Sequence, residues 1–275
     1  MGDIREIVAR FYDRGAKSDL VNELFYEGSN FLNVGYWHDD TTGVRQACEN
    51  LMEELLKRIP DKKGTILDVA CGKGGTTRHL CNYYEPADVV GINISTEQLK
   101  KCRMNAPGCT FLEMDATNMD FPDASFENVI SVEAAFHFDT REKFLKEAYR
   151  ILKANGRLVM TDVIMPTDFE RQPHANVLKD MDAYKAVCRR ANFVDVEVID
   201  VTERSMGGAF EYMGRYFRQR LPWLAERPAF ARRIARKLEA EWGQRIYVLV
   251  ACKKPAPSRA RAAGRRHRRG ASEVG

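Results

Sequence analysis

The chain has 275 residues, 44% hydrophobic and 30% charged, with a formal net charge of +4. That length supports a full core, as one large domain or one with an insertion, and the composition is globular rather than fibrous or disordered. No apolar run of about 18 residues occurs, so no membrane span is expected, and residues 255–275 hold six arginines against one glutamate, leaving the rest of the chain close to neutral.

In chain order, Ile4, Ile7, Val8 and Phe11 fall at helical spacing, as do Ala47, Leu51, Leu55 and Ile59 in the segment from Val44. The opening residues Met1–Glu6 carry acids and no apolar signal core, so no secretory leader is read there. Between the two helical segments lies Phe25–His38, aromatic and turn-rich. Large aromatics are costly to expose, so this loop folds back, either as a plug over the core edge or as a lid over a ligand. Residues 1–60 are thus read as an N-terminal helical lid.

From Gly64 the alternation becomes regular. Candidate strands are Thr65–Val69, Asp88–Ile92, Thr110–Met114, Phe126–Val132, Arg157–Ile164, Val194–Val201 and Arg245–Ala251. Helical patterns at Thr76–Tyr84, Thr96–Asn105, Thr140–Lys153 and Met181–Ala191 separate most of them, with Asn155-Gly156 as a stop signal after the third. Such alternation predicts an α/β fold with a mostly parallel seven-stranded sheet covered on both faces. Gly207–Gln219 and Pro228–Trp242 break the rhythm as a helical insertion, at about 203–243, in a core spanning 61–254; the Arg-rich tail 255–275 is expected to be disordered. The seven cysteines form no Cys-x-x-Cys pair, which points to reduced thiols and a cytoplasmic location. Histidines and acids do not cluster at ligand spacing, so no metal is indicated.

The stretch Thr65-Ile66-Leu67-Asp68-Val69-Ala70-Cys71-Gly72-Lys73-Gly74-Gly75-Thr76 places an acid at a strand end, then a Gly-rich turn, then a helix. Its glycines do not follow the dinucleotide spacing Gly-x-Gly-x-x-Gly, and the stretch lacks the Gly-Lys-[Ser/Thr] of a P-loop. The acid-led pattern instead resembles the cofactor loop of class I S-adenosylmethionine-dependent methyltransferases. Four further segments resemble that family in order: Val90–Leu99, Phe111–Ala116, Phe121–Ser131 and Ala148–Leu158. Together they cover roughly Gly64 to Ile164 and imply a Rossmann-like fold that binds S-adenosylmethionine.

Physical reasons accompany the match. The Gly72–Gly75 turn lets backbone approach the methionyl end, with Ala70 in the same cofactor set, while Asp68 anchors the turn or receives the cofactor ammonium. Asn93 bonds ribose hydroxyls from a neutral side chain. Asp115 accepts from the adenine amino group, with Ala116 supplying a backbone donor beside it. Ile94 and Gln98 join the cofactor set by resemblance. Three departures stand out: Ala70 where the family usually has Gly, Asn93 where Asp or Glu is frequent, and Glu127-Asn128 in place of an Asp.

For the acceptor half, His137 follows the fourth strand at its carboxyl end, where open α/β sheets place ligands. It is expected to act as general base or to orient the acceptor, with Glu133 orienting the acceptor or taking a proton. Packing between Phe136 and Phe138 is the simpler alternative for His137. Tyr26, Phe31, Tyr36 and Trp37 in the aromatic loop, and Tyr212 in the late segment from Met206, are candidates to bind a bulky, partly apolar acceptor, or else core residues. The expected reaction is methyl transfer to a small molecule, most naturally at a hydroxyl, with nitrogen and carbon as alternatives. The resemblance implies tailoring of secondary metabolites. The rival of another class is a cofactor-fold binding protein directed to RNA by its basic tail; no nucleic-acid partner is indicated by the rest of the chain. The oligomeric state stays open.

Overall fold

A computed structural model describes residues 3–16, 23, 26–165, 172–220 and 245–257. Pro228–Trp242 and the tail from 258 onward lie outside the described residues, as does part of the region between the first two helices.

Helix α1 (Ile4–Ala16) and helix α2 (Val44–Leu56) precede the sheet. In α2, Val44, Ala47, Cys48, Leu51, Met52 and Leu55 are buried, a face that follows from their three- and four-residue spacing. Seven strands follow: β1 (Ile66–Val69), β2 (Val89–Asn93), β3 (Thr110–Glu113), β4 (Phe126–Val132), β5 (Leu152–Ile164), β6 (Val194–Asp200) and β7 (Ile246–Lys253). Between them come α3 (Gly75–Leu80), α4 (Thr96–Asn105), α5 (Arg141–Ile151), α6 (Met181–Arg190) and α7 (Gly208–Arg220).

The sheet order is β3-β2-β1-β4-β5-β7-β6. Strands β1 to β5 pair in parallel, while β7 runs antiparallel to both β5 and β6. The α/β architecture, its seven strands and their mostly parallel sense therefore agree with the sequence pattern. Sheet order reverses between β1 and β4, and open α/β sheets leave a ligand crevice at such a point, beyond the carboxyl ends of the strands.

The strands feed two cores by their two-residue period. Leu67, Val69, Leu158, Met160, Val248 and Val250 pack on one face with α5 and α6. Ile66, Val159, Val163, Leu249 and Ala251 pack on the other with α2 and Trp37. Side-chain caps set several helix starts: Ser95, Thr140 and Asp180 each accept a backbone N–H from the first turn of α4, α5 and α6.

Most boundaries shift by one or two residues from the sequence pattern, and two shift by more. Helix α3 ends at Leu80, short of Tyr84, because the chain turns over Cys81 and Asn82 toward β2. Strand β5 starts at Leu152 rather than Arg157, since Leu152 already pairs with Phe126 across an irregularity in the register. The departure Glu127-Asn128 belongs to this region. Glu127 Oε2 accepts from Thr65 N at 2.7 Å and its Oε1 pairs with Lys153, while Asn128 Nδ2 donates to Tyr84 Oη at 3.3 Å. Both side chains stitch the lower end of the sheet, away from the crevice.

Candidate active site

The carboxyl ends of β1, β2 and β4 open onto a cavity with about 930 Å³ of empty space, counting its mouth. Ala70, Gly72, Asn93, Ile94, Gln98, Asp115, Ala116, Glu133 and His137 all line it. Nine residues singled out from sequence, spread over almost seventy positions, thus face one space.

Asp68 does not line it. Buried at 1% exposure, it accepts from Thr76 Oγ1 at 2.7 Å and Thr77 Oγ1 at 2.6 Å, tying the start of α3 to the end of β1. Of its two expected roles, the geometry carries the anchoring one. Burial pushes its carboxyl up to about 6, opposed by the two hydroxyl donors.

Ala70 stands at φ 60, in the left-handed region that glycine occupies without cost. Gly75 meets a different demand. A Cβ there would lie 2.7 Å from Phe31 N and 2.8 Å from the Asn30 carbonyl, so only hydrogen lets the segment 30–34 cross over α3. That segment straps the crevice. Leu32 lies over Gly72, and Val34 N donates to Glu133 Oε1 at 2.7 Å.

Between those two anchors sits Asn33, which lines the cavity at 2% exposure. Its Oδ1 accepts from Gly35 N at 3.0 Å, but its Nδ2 is buried with no hydrogen-bond partner. A buried donor left unmade costs on the order of 1–3 kcal/mol, so this amide awaits an oxygen acceptor. Sequence reasoning did not single out Asn33. Nothing local distinguishes it from any other asparagine in a turn-rich loop.

On the donor side, Asn93 Nδ2 donates to Gln98 Oε1 at 2.8 Å, and Asn93 Oδ1 accepts from Ser95 N at 3.2 Å. The pair is pre-set by α4, whose cap is Ser95. Asp115 Oδ1 accepts from Thr117 N at 2.7 Å and from Thr117 Oγ1 at 2.8 Å. Its Oδ2 meets Arg5 Nη1 at 3.3 Å. Helix α1 therefore spans the cavity mouth: Arg5, Val8 and Tyr12 line it, and Asp13 Oδ1 accepts from Ser95 Oγ at 2.5 Å.

On the acceptor side, Tyr12 Oη lies 3.2 Å from His137 Nε2. His137 is 8% exposed and its ring packs on Phe136 at 4.0 Å between centroids. Packing and cavity-facing roles thus coexist in this residue. Glu133 stands at φ 52 where β4 ends, which turns its carboxylate into the crevice. Desolvation pushes that carboxyl up to about 7, held back by donors Tyr247 Oη and Val34 N and raised again by the charge of Asp162.

Of the aromatics expected to bind an acceptor, Phe31 lines this cavity, whereas Tyr26, Tyr36, Trp37 and Tyr212 do not. Trp37 stacks against Tyr212 at 4.9 Å and rests on Gly208, with its Nε1 donating to Val34 O at 2.9 Å. Tyr212 Oη donates to Glu27 Oε1 at 3.2 Å, and Tyr36 lies 5.0 Å from His38. Tyr26 packs on the same core, where burial and the neighbouring Glu133 raise its hydroxyl pKa. They fasten the strap and the π-helical turn Glu203–Gly207 to the sheet. His79 lies outside this cavity and pairs with Glu53 at 2.7 Å.

A methyltransferase domain model matches residues 67–160, the span that builds β1 to β5. Residues 67–160 thus carry a methyltransferase domain, in agreement with the class I S-adenosylmethionine-dependent pattern of the sequence. Among the chain's relatives is the erythromycin 3''-O-methyltransferase of Saccharopolyspora erythraea, 25% identical over 87% of this chain and 90% of that one. The fold is shared with the [4+2]-cyclase SpnF, at TM-score 0.72 and 22% identity over 93% of this chain and 98% of the other. It is shared too with a geranyl diphosphate C-methyltransferase from Streptomyces coelicolor solved with S-adenosyl-L-homocysteine, at TM-score 0.68 and 14% identity over 92% and 98%. S-adenosylmethionine is the cofactor of the methyltransferase domain matched over residues 67–160. The residues present fit it: a glycine-bearing turn, the Asn93–Gln98 amide pair, the Asp115 carboxylate and the unpartnered Asn33 amide line one cavity. No helix among the described residues is long and apolar enough to cross a membrane.

Proposed function

We propose that this methyltransferase methylates an oxygen of a small-molecule secondary metabolite, with His137 and Glu133 managing the acceptor's proton. The observation that carries the reading is that both residues share one cavity with the donor-side set Gly72, Asn93 and Asp115. When bound, the cofactor supplies a sulfonium methyl open to in-line displacement, so the protein has mainly to position two partners and remove a proton.

The donor half is held by Ala70 and Gly72 at the methionyl end, by Asn93 with Ile94 and Gln98 near the ribose, and by Asp115 and Ala116 near the adenine. Asn33 adds a donor for an oxygen on the methionyl or acceptor side, since its strap runs from Gly72 to Glu133. Asp68 serves from behind, by fixing the turn.

In the acceptor half, a hydroxyl reaching the Tyr12–His137 pair passes its proton to Nε2, directly or through the tyrosine hydroxyl. Glu133 titrates near neutrality and takes a proton or orients the acceptor with equal ease. Helix α1 carries Tyr12 and Arg5, so closing it completes the acceptor side and covers the donor side in one movement. Tyr26, Tyr36, Trp37 and Tyr212 act through the strap, by shaping the wall that an acceptor meets. An amine acceptor fits the same pair of proton-accepting groups and is the nearest alternative.

The deciding experiment incubates the protein with labelled S-adenosylmethionine and a panel of hydroxylated metabolites, and seeks labelled methyl addition by mass spectrometry. Label recovered on oxygen and lost in His137→Ala supports the reading. Label on carbon, or a turnover unchanged in His137→Ala, overturns it.

A further inference from the structure

Behind the turn that carries His137 lies a charged cluster that lines no part of the cavity. Asp162 on β5, Arg141 at the start of α5, Asn176 in the 3-10 turn His174–Asn176 and Tyr184 on α6 are each at most 2% exposed. Arg141 Nε donates to Asp162 Oδ2 at 2.5 Å, and Tyr184 Oη donates to the same oxygen at 2.8 Å. The other guanidinium nitrogens donate to the carbonyls of Asn176 and Val163. Burying an ion pair this deeply costs desolvation that its own attraction barely offsets, and packed apolar side chains would stabilise the fold as well.

What apolar side chains could not do is hold backbone polar groups. Asp162 Oδ1 accepts from Phe136 N at 3.0 Å. Asn176 Nδ2 donates to the carbonyl of Phe138 at 2.7 Å and also faces those of Phe136 and Ala135, at 3.2 and 3.4 Å. Asn176 Oδ1 in turn accepts from Arg141 N at 2.8 Å. The groups held bracket His137 in sequence, from the Ala135 carbonyl and Phe136 amide before it to the Phe138 carbonyl after it. His137 lies in a three-residue 3-10 turn, Ala135–His137, too short to set its own orientation.

We propose that Asp162, Arg141, Asn176 and Tyr184 are positioning residues for His137: they clamp the backbone before and after it so that the imidazole enters the cavity beside Tyr12. The catalytic meaning of this clamp rests on the role given to His137 above, but the clamp is testable on the ring itself. Asn176→Asp keeps the volume and turns a donor to three carbonyls into an acceptor.

The test measures carbethoxylation by diethyl pyrocarbonate, resolved by peptide mass spectrometry, with His79 in the same molecule as the internal reference. Binding of S-adenosylhomocysteine is measured alongside. In Asn176→Asp the His137 rate should rise at least about threefold through local opening, with His79 and cofactor-product affinity within about twofold of the parent. Tyr184→Phe removes one hydroxyl at constant shape and should raise the His137 rate by a smaller factor. It decides the matter if Asn176→Asp does not fold. An unchanged His137 rate, or equal rises at His137 and His79, overturns the clamp. Retained methyl transfer in His137→Ala would instead overturn the role of the ring and leave the clamp standing, so the two failures are distinct.

Discussion

Glu133 holds a backbone conformation that costs a non-glycine residue about 1–3 kcal/mol, and a carboxyl that titrates near 7. If it takes the proton, kcat/KM should rise as pH climbs through about 7. Tyr247 donates to its Oε1 and so favours the charged form. Tyr247→Phe should therefore move that midpoint upward; an unmoved profile assigns the titration to another group. Truncation of His137 to alanine should lower kcat by about 10²- to 10⁴-fold, the usual span for losing a general base. Asp68 gives a stability prediction with a definite sign. Its folded pKa, raised to about 6, exceeds the ordinary 3.8, so its contribution is fullest below the lower value and is lost as pH rises through the higher one. The loss is on the order of 2–3 kcal/mol, and Asp68→Asn should flatten the melting temperature of the protein between those pH values. Residue identity was legible at several of these positions because chemistry and place coincide: a histidine or an acid at the carboxyl end of a strand has few other reasons to be there. Asn33 was not legible, because an unmet donor is a property of what surrounds an atom.

Two elements decide how the cavity closes. The strap 30–34 crosses α3 only because Gly75 has no side chain, and the atoms it would strike are backbone, which cannot swing aside. Gly75→Ala should destabilise the protein by about 1–3 kcal/mol and weaken S-adenosylhomocysteine binding, measured by denaturant melts and calorimetry. Helix α1 is fastened differently, through Arg5 to Asp115, Asp13 to Ser95 and Tyr12 to His137. The Arg5 side chain is 54% exposed, and pairs of that kind contribute little. Arg5→Ala should thus weaken cofactor-product affinity less than about fivefold, whereas removing the whole of α1 should weaken it by more than tenfold, since the three ties act together. Helix and strand patterns announced most of the elements, and Thr96–Asn105 and Phe126–Val132 emerged with the expected ends. The aromatic loop announced itself only as something that must fold back. Tyr26, Tyr36 and Trp37 pack on the sheet while Asn30, Phe31, Leu32 and Asn33 line the cavity, a division that composition does not reveal.

At the scale of the molecule, cofactor binding and folding are linked. Saturation at about a hundred times Kd should stabilise the protein by about 2.7 kcal/mol and raise Tm by several degrees in a scanning melt. No shift would contradict the cofactor assignment. Period, turn chemistry and strand-end acids are local properties, so the α/β class, the parallel sense of the central strands and a set of residues that meet at one cavity could be read from the chain alone. Tertiary structure alone decided the rest. It showed that Asp68 faces threonines rather than the cavity, that α1 brings Tyr12 to His137 across more than a hundred residues of chain, and that a buried ion pair on β5 and α5 holds the turn that carries His137. Those are outcomes of close approach between distant segments, and hydrogen-bond partners and local dielectric exist only once the chain has closed on itself.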